Sequence, residues 1–269
     1  EAHGFEVEII GPDDFGRIAE FDALFIRETT QVNHHTYRFA SRARAEGLIV
    51  IDDPDSIVRC ANKVYLAELM TRLGIPTPKT VIAHRNNIER VAGELGLPCV
   101  LKQPDSSFSQ GVVKVQDAGE LRAALRQLLE RSDLVVAQEF MPTSFDWRVG
   151  VLDRRALYVC RYFMARNHWQ IYKQQAGGKL TGGRWETLRV EAAPPAVVEL
   201  GLRAANAIGD GFYGVDIKEI DGRHVVMEVN DNPSVERGVE DQALGDALYE
   251  RVMQVFRARL EAARGGNGR

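Results

Sequence analysis

Tyr213-Gly214-Val215-Asp216-Ile217 and, after a short polar link, Met227-Glu228-Val229-Asn230-Asp231-Asn232-Pro233 form the stretch on which the reading of this chain turns. Two apolar runs separated by a turn read as neighbouring strands. Glu228 and Asn230 are two apart on an extended run, so their side chains leave the same face. Asp216 lies on the preceding run, and the length of the turn decides which face it uses. A two-residue Asp221-Gly222 turn sets Asp216 opposite Met227, on the wrong side. An odd loop, such as three residues ending at Gly222 with a bulge, sets Asp216 with Glu228. Two carboxylates and one amide, with positions left for phosphate oxygens, suit Mg²⁺ better than Zn²⁺, which prefers His and Cys. An ordinary hairpin with solvated acids fits these residues as well.

The 269 residues are 45% hydrophobic and 27% charged, the composition of a soluble globular protein of one or two domains. Nothing approaches the ~20 apolar residues that a bilayer span requires. No charged-then-apolar signal segment opens the chain, and a cytoplasmic protein with no membrane partner is expected. A net charge of −4 argues against a nucleic-acid surface. Cys60, Cys99 and Cys160 lack CxxC or CxxH spacing. Cys99 and Cys160 sit in apolar strand-like runs and read as buried free thiols in a reducing compartment. The chain starts at Glu1 without a methionine, as a fragment of a longer protein does. Gly265-Gly266-Asn267-Gly268-Arg269 reads as disordered.

Three sections follow from the apolar periodicity. In the first, residues 7–10, 23–26 and 48–51 read as short buried strands with a helix over 37–46. A helix from Asn62 carries Val64, Leu66, Leu69 and Met70 and ends at Leu73-Gly74 before Pro76 and Pro78. The second section reads as strand 79–83, helix 88–95, strands 99–102 and 111–115, helix 118–131 and strand 134–139. The third begins after Pro142 with strands 147–152 and 157–163, a polar loop, helix 195–208 and the acidic hairpin. Leu244, Leu248, Val252, Phe256 and Leu260 recur at helical spacing.

Lys102 ends a strand, and Ser106-Ser107-Phe108-Ser109-Gln110-Gly111 lies between it and the next. Small residues in such a turn let backbone N–H groups converge on a phosphate, although the Walker spacing is absent and a plain hairpin loop reads equally. Lys63 at a helix start is unremarkable by itself. Gln138-Glu139-Phe140-Met141-Pro142 closes a strand and crosses between sections, where exposed main-chain groups can read an adenine edge. Asp146 and Arg148 share a strand face, and Arg161 on the neighbouring strand is expected to join Arg148 there. Surface salt bridging is the plain alternative.

Taken together, Asn62-Lys63, Gly74-Ile75-Pro76-Thr77-Pro78, Val100-Leu101-Lys102, Ser109-Gln110-Gly111-Val112, Gln138-Glu139-Phe140, Asp146-Trp147-Arg148, Gly214-Val215-Asp216 and the run 228–233 resemble the ATP-grasp superfamily, most closely the RimK-like carboxylate–amine ligases. The resemblance implies an α/β (α+β) ATP-grasp fold with a small N-terminal parallel α/β domain over 1–60, truncated at its start. A central subdomain over 61–142 and a C-terminal subdomain over 143–264 with the metal site complete it. It further implies that Lys63 and Lys102 hold nucleotide phosphates beneath the loop containing Ser109, Gln110 and Gly111. Glu139 and Phe140 form the adenine hinge, with Asp146 a nearby nucleotide contact. Asp216, Glu228 and Asn230 ligate two Mg²⁺, with Mn²⁺ able to substitute. Arg161 and Arg148 face the γ-phosphate and the acyl phosphate, and Asn232 supports that end. The stretch Arg27-Glu28-Thr29-Thr30 meets the acceptor.

The chain departs from the RimK pattern at Asn167-His168-Trp169-Gln170-Ile171-Tyr172-Lys173 and in a phosphate loop with one glycine fewer. The ribosomal-protein acceptor of RimK is therefore not carried over. Residues 166–183, Lys173 among them, and 27–35 are expected to face the acceptor together, with the pairs Gly177-Gly178 and Gly182-Gly183 permitting motion. His34-His35 is read as substrate-side or structural, because adjacent histidines point to opposite sides of most structures. The implied reaction is ATP-dependent amide formation through an acyl phosphate, which asks the protein for positioning and charge neutralisation. A carboxylate and an amine acceptor (amino acid, peptide or protein tail) are the partners, and a homo-oligomer is compatible. A phosphotransferase on the same fold and a nucleotide-binding module without turnover are the rival readings.

Overall fold

In a computed structural model that describes residues 3–105, 111–166, 168–174 and 180–266, the first section holds a two-stranded parallel sheet. Strand β1 (Ala23–Phe25) pairs β2 (Ile49–Ile51), and α1 (His35–Ala45) connects them. Phe39, Ala40 and Ala43 recur on one face of α1 and bury against Ile18, Ile26, Val50 and Ile57. The strand expected at 7–10 is absent. Neither strand of the sheet gains it as a neighbour, and without pairing Val7 and Ile9 stay 70% and 97% exposed. A helix not foreseen, α2 (Pro54–Ala61), follows. Asp53 caps it, accepting from the N–H groups of Asp55 and Ser56, and Pro54 occupies the first turn. Asn62 then caps α3 (Lys63–Arg72) through Tyr65 N–H.

The second section comprises β3 (Thr80–Ala83), α4 (Ile88–Leu95), β4 (Cys99–Lys102), β5 (Val112–Val115), α5 (Ala118–Leu128) and β6 (Val135–Glu139). The sheet order is β3-β6-β4-β5, antiparallel throughout. Cys99 and Leu101 point into the core with Val91, Leu121, Leu125 and Val135. The alternation of a strand sends Val100 and Lys102 to the opposite face, level with Gln138 and Val136.

The third section adds β7 (Phe145–Leu152), β8 (Arg155–Phe163), β9 (Tyr172–Gln174), β10 (Leu180–Gly182), β11 (Trp185–Leu188), α6 (Pro195–Ile208), β12 (Phe212–Ile220), β13 (Arg223–Asp231) and α7 (Asp246–Gly266). The main sheet runs β11-β8-β7-β12-β13. On one face Trp147, Val149, Val159, Val215 and Ile217 meet Val197, Leu200 and Ala204 of α6. Helix and sheet approach so closely at Gly201 that a Cβ there would lie 2.7 Å from Val149 Cβ. The other face is apolar at one end, where Tyr158, Cys160 and Phe212 meet Leu248, Val252 and Phe256 of α7. At its other end it is charged. All three cysteines are buried free thiols. No described helix is long and apolar enough to cross a membrane.

The sections are joined at Asp52. Its carboxylate oxygens accept from Phe212 N–H (2.6 Å) and Asn232 N–H (2.5 Å). Burial, and then the neighbouring Asp231, push Asp52 up to about 8. The folded chain therefore keeps a proton that the unfolded chain releases near pH 4. That contribution to stability is full below about pH 4 and is lost as the pH rises through about 8. Thermal unfolding followed from about pH 5 to about pH 9 should show a falling Tm. Asp52→Asn should flatten that slope whatever its absolute Tm, and parallel slopes would contradict the assignment. Separately, Gly201→Ala should destabilise the chain in urea by about 1–3 kcal/mol of overpacking, outweighing the ~1 kcal/mol that alanine gains in a helix.

Candidate active site

The charged half of the sheet is sorted by register. Ile220 pairs Arg223 across a two-residue turn, with Asp221 and Gly222 both at positive φ. That turn alone would set Asp216 against Met227. The parity is reversed within the strand: Ile217 pairs Val226 and Asp216 pairs Glu228, leaving Met227 as the extra residue of a bulge. The two carboxylates thus share a face, as the odd-loop alternative requires, but the extra residue sits in β13 rather than in the turn. Asn230, level with Gly214, belongs to the same face, and its amide donates to Asp216 Oδ2 at 3.1 Å.

A second irregularity corrects the expectation for Arg161. The β7–β8 register shifts between Gly150 and Val151, leaving Leu157 unopposed. Arg161 therefore pairs Trp147, whereas Arg148 pairs Cys160. Arg161 lies on the α6 face, its guanidinium 4.7 Å from the Trp147 ring centre and 3.4 Å from Glu186. It does not join Arg148. Arg148 instead grips Asp216 with two bonds, Nε to Oδ1 at 2.7 Å and Nη2 to Oδ2 at 2.8 Å. Gly214 permits this, because a Cβ there would come within 3.4 Å of Arg148 Cδ and 2.9 Å of Pro233 Cβ.

Three further cations complete the cluster. Lys63, fixed at the start of α3 by the Asn62 cap and by its own N–H on Pro104 O, reaches Glu228 at 3.1 Å. Lys218 lies two residues beyond Asp216, and its ammonium bonds Asp146 Oδ1 at 2.6 Å and Thr143 Oγ at 2.6 Å. Neither Lys218 nor Thr143 was singled out in the sequence, although the two-residue strand period places Lys218 with Asp216. Lys102 faces the same cleft, which Lys63, Leu66, Met70, Gln138 and Met227 also line. Burial and the positive Lys63 and Lys218 lower the Lys102 ammonium, while Glu228 and Asp216 oppose that shift. Burial raises Glu228, but Lys63, Lys102 and Arg148 outweigh it and hold the carboxyl below its usual range. Burial raises Asp146 against the pull of Lys218.

Glu139 and Phe140, the expected hinge, sit at the end of β6 and just beyond it. The Glu139 carboxylate accepts from Lys79 N–H at 2.8 Å, and the Phe140 ring lies under Lys114 Nζ at 3.5 Å. Gly111 closes its loop by accepting from Gln103 N–H at 3.2 Å. Ser109 and Gln110 lie outside the described residues, as do Asn167 and Gly177-Gly178. Lys173 is on β9 opposite Thr181.

The expected acceptor wall divides. His168 and Trp169 lie by Pro142 and Thr143, and Trp169 packs edge-on against Phe140. This is the Asp146 end of β7. Arg27 lies at the opposite, Phe212 end, donating to Asn232 Oδ1 (2.7 Å) and Pro233 O (2.9 Å). Gly183 serves close packing rather than motion, since a Cβ there would collide with Phe163 O at 1.9 Å. His34 and His35 do not diverge: their ring centres are 4.0 Å apart. His34 is the extended cap residue and His35 the first helical one, and the change of backbone conformation between them swings both rings to one side.

The five-stranded and four-stranded antiparallel sheets that bring these residues together have a counterpart among solved structures. The D-alanine–D-alanine ligase of Bacillus anthracis superposes with a TM-score of 0.72 at 18% identity, over 97% of this chain and 87% of that one. A RimK-domain ATP-grasp protein of Sphaerobacter thermophilus gives 0.61 at 19% identity, over 88% and 79%. The model of the RimK-like ATP-grasp domain matches residues 60–247. This chain belongs to that family. Similar curated proteins include the α-aminoadipate–LysW ligase LysX of Saccharolobus solfataricus, 29% identical over 72% of this chain and 69% of the relative. The tetrahydromethanopterin:α-L-glutamate ligase of Methanocaldococcus jannaschii is 27% identical over 78% and 72%. The protein is an ATP-dependent ligase that joins a carboxylate to an amine, and it uses ATP with a divalent metal.

The partly buried Arg148–Asp216 pair should behave as a unit. Arg148→Met leaves an uncompensated carboxylate and should cost about 3–5 kcal/mol, much of which Asp216→Leu on the same chain should restore. A double-mutant cycle in urea measures this, and additive losses would show that the pair is not coupled.

Proposed function

We propose that this ligase works through an acyl phosphate, with two Mg²⁺ held by Asp216, Glu228 and Asn230. The observation that carries this reading is the pairing of Asp216 with Glu228 on one sheet face. Oxygen donors from two acids and an amide suit a hard cation. A divalent cation at this position would neutralise and orient the phosphate oxygens of ATP. We further divide the chain into an N-terminal unit over 1–60, a central unit over 61–142 and a C-terminal unit over 143–264, with ATP between the last two.

In this reading the site's own ion pairs hold the place of the ligand. Arg148 is on Asp216 and Lys63 on Glu228. With a divalent ion held by those carboxylates, Arg148 and Lys63 would turn toward phosphate oxygens and bind them with charge-assisted bonds. Lys102 approaches from the facing sheet, Asp146 and Lys218 meet the nucleotide near the hinge, and the main chain at Glu139 and Phe140 reads adenine. Asn232 and Arg27 border the carboxylate substrate. A carboxylate oxygen then attacks the γ-phosphorus and ADP leaves. The amine nitrogen attacks the acyl carbon, the carbon–oxygen bond to phosphate breaks, and the amine gives up a proton. Positioning and charge supply the catalysis, without a protein nucleophile. The named relatives support an amino acid, peptide or protein tail as partner.

Glu228→Gln should lower ATP turnover by at least ~10²-fold without changing the circular dichroism spectrum, and normal turnover would remove the metal assignment. Lys102→Ala should weaken ATP binding in calorimetry far more than Phe140→Leu, because main-chain groups read the base. Dependence of ADP release on an added amine separates ligation from simple phosphoryl transfer.

A further inference from the structure

We propose that Glu28, His34 and His35 form a second cation site, for a borderline divalent ion such as Zn²⁺, separate from the nucleotide site. One ligand atom from each residue lies within 4.8 Å of the other two. The two oxygens of Glu28 divide between the histidines: Oε2 is 3.0 Å from His35 Nε2, and Oε1 is 3.8 Å from His34 Nε2. A tetrahedral zinc site with bonds near 2.0–2.1 Å sets its ligand atoms roughly 3.4 Å apart. Exposed Glu28 can close that difference by a small rotation. Two imidazoles and one carboxylate, with a fourth position open, are a zinc donor set, unlike the all-oxygen set of Asp216, Glu228 and Asn230.

The second observation is how the surroundings hold the His34 ring. Thr36 Oγ1, in a buried residue, donates to Thr29 O at 3.2 Å. Its remaining interaction is with His34 Nδ1 at 3.0 Å. Thr36 N–H approaches the same nitrogen at 3.5 Å as the cap of α1, so Thr36 engages Nδ1 and leaves Nε2 on the Glu28 side. A divalent ion on Nε2 would leave the proton on Nδ1, where it can be donated to Thr36 Oγ1, and a hydrogen bond on the distal nitrogen is how metal-binding histidines are oriented. The main chain of Glu28 is also held, since its carbonyl oxygen accepts from Asn232 Nδ2 at 2.5 Å and Arg27 is bonded to Asn232. Occupancy is thereby linked to the end of the strand that carries Glu228 and Asn230.

The test titrates Co²⁺, and in parallel Zn²⁺, into the full chain with Mg²⁺ and ADP in excess. Binding is read by visible absorption and calorimetry, so the outcome does not depend on ligase activity. One ion per chain should bind in the micromolar range, with the strong visible bands of a four- or five-coordinate nitrogen–oxygen site. His34→Ala and His35→Ala should each abolish the bands. Thr36→Val, which preserves shape and removes only the orienting hydroxyl, should weaken binding by about 10–100-fold. Bands that persist in both histidine variants would place the ion elsewhere and overturn the proposal. Binding only at millimolar metal, or unchanged affinity in Thr36→Val, would also overturn it and leave Glu28 as an ion-pair partner of the histidines only.

Discussion

Two single-residue bulges in the five-stranded sheet, at Leu157 and Met227, determine which charges share the cleft between the two sheets. A strand has a side-chain period of two, so one extra residue exchanges the faces of everything beyond it. At Met227 the exchange brings Glu228 and Asn230 to the side of Asp216. At Leu157 it carries Arg161 away to the face packed on α6 and leaves Tyr158, Cys160 and Tyr162 beside Arg148. Without the first bulge the two acids would be on opposite sides of the sheet. Without the second, another guanidinium would crowd a face that already carries Arg148 and Lys218.

The cluster that results is nearly balanced. Arg148, Lys63 and Lys218 each hold one of Asp216, Glu228 and Asp146, and Lys102 remains across the cleft. Burying a charge is costly unless it is paired, so this pairing lets seven ionisable groups assemble in a protein interior. It also explains the opposite displacements of the two acids: Glu228, ringed by three cations, is held below its ordinary range, whereas Asp146 is raised by burial despite Lys218. A ligand bringing phosphates and a divalent ion adds both signs of charge and can exchange partners with every pair.

Much of this was legible in the chain. The strands and helices of the second and third sections follow from apolar periodicity, and helix 195–208 needs only its proline start and 3.6-residue repeat. The capping pair Asp53-Pro54 also announces α2, although the helix that follows is only eight residues long. The bulges were not legible: Asp221-Gly222 does specify a two-residue turn, and nothing local marks Met227 or Leu157 as the residue left unpaired. Residues 7–10 failed for a related reason. Their composition is strand-like, but a strand exists only where a neighbour accepts its hydrogen bonds. Lys218 needed only the period-two rule applied beyond Asp216, whereas Asp52 acts over more than 150 residues of sequence and leaves no local trace.

That long-range contact changes how the family segment should be regarded. The match begins at residue 60, yet Asp52 supplies the acceptors for Phe212 N–H and Asn232 N–H, at the start of β12 and just past the end of β13. Ile51 also lies in the core beneath α7. The boundary of resemblance is thus not a boundary of folding. A chain cut at residue 60 would leave two strand-end donors and an apolar seat without their partners, beside Asn232 and the run that holds Glu228. The first section is the keystone of the acidic hairpin, and its identity constrains the five-stranded sheet as directly as any residue within it.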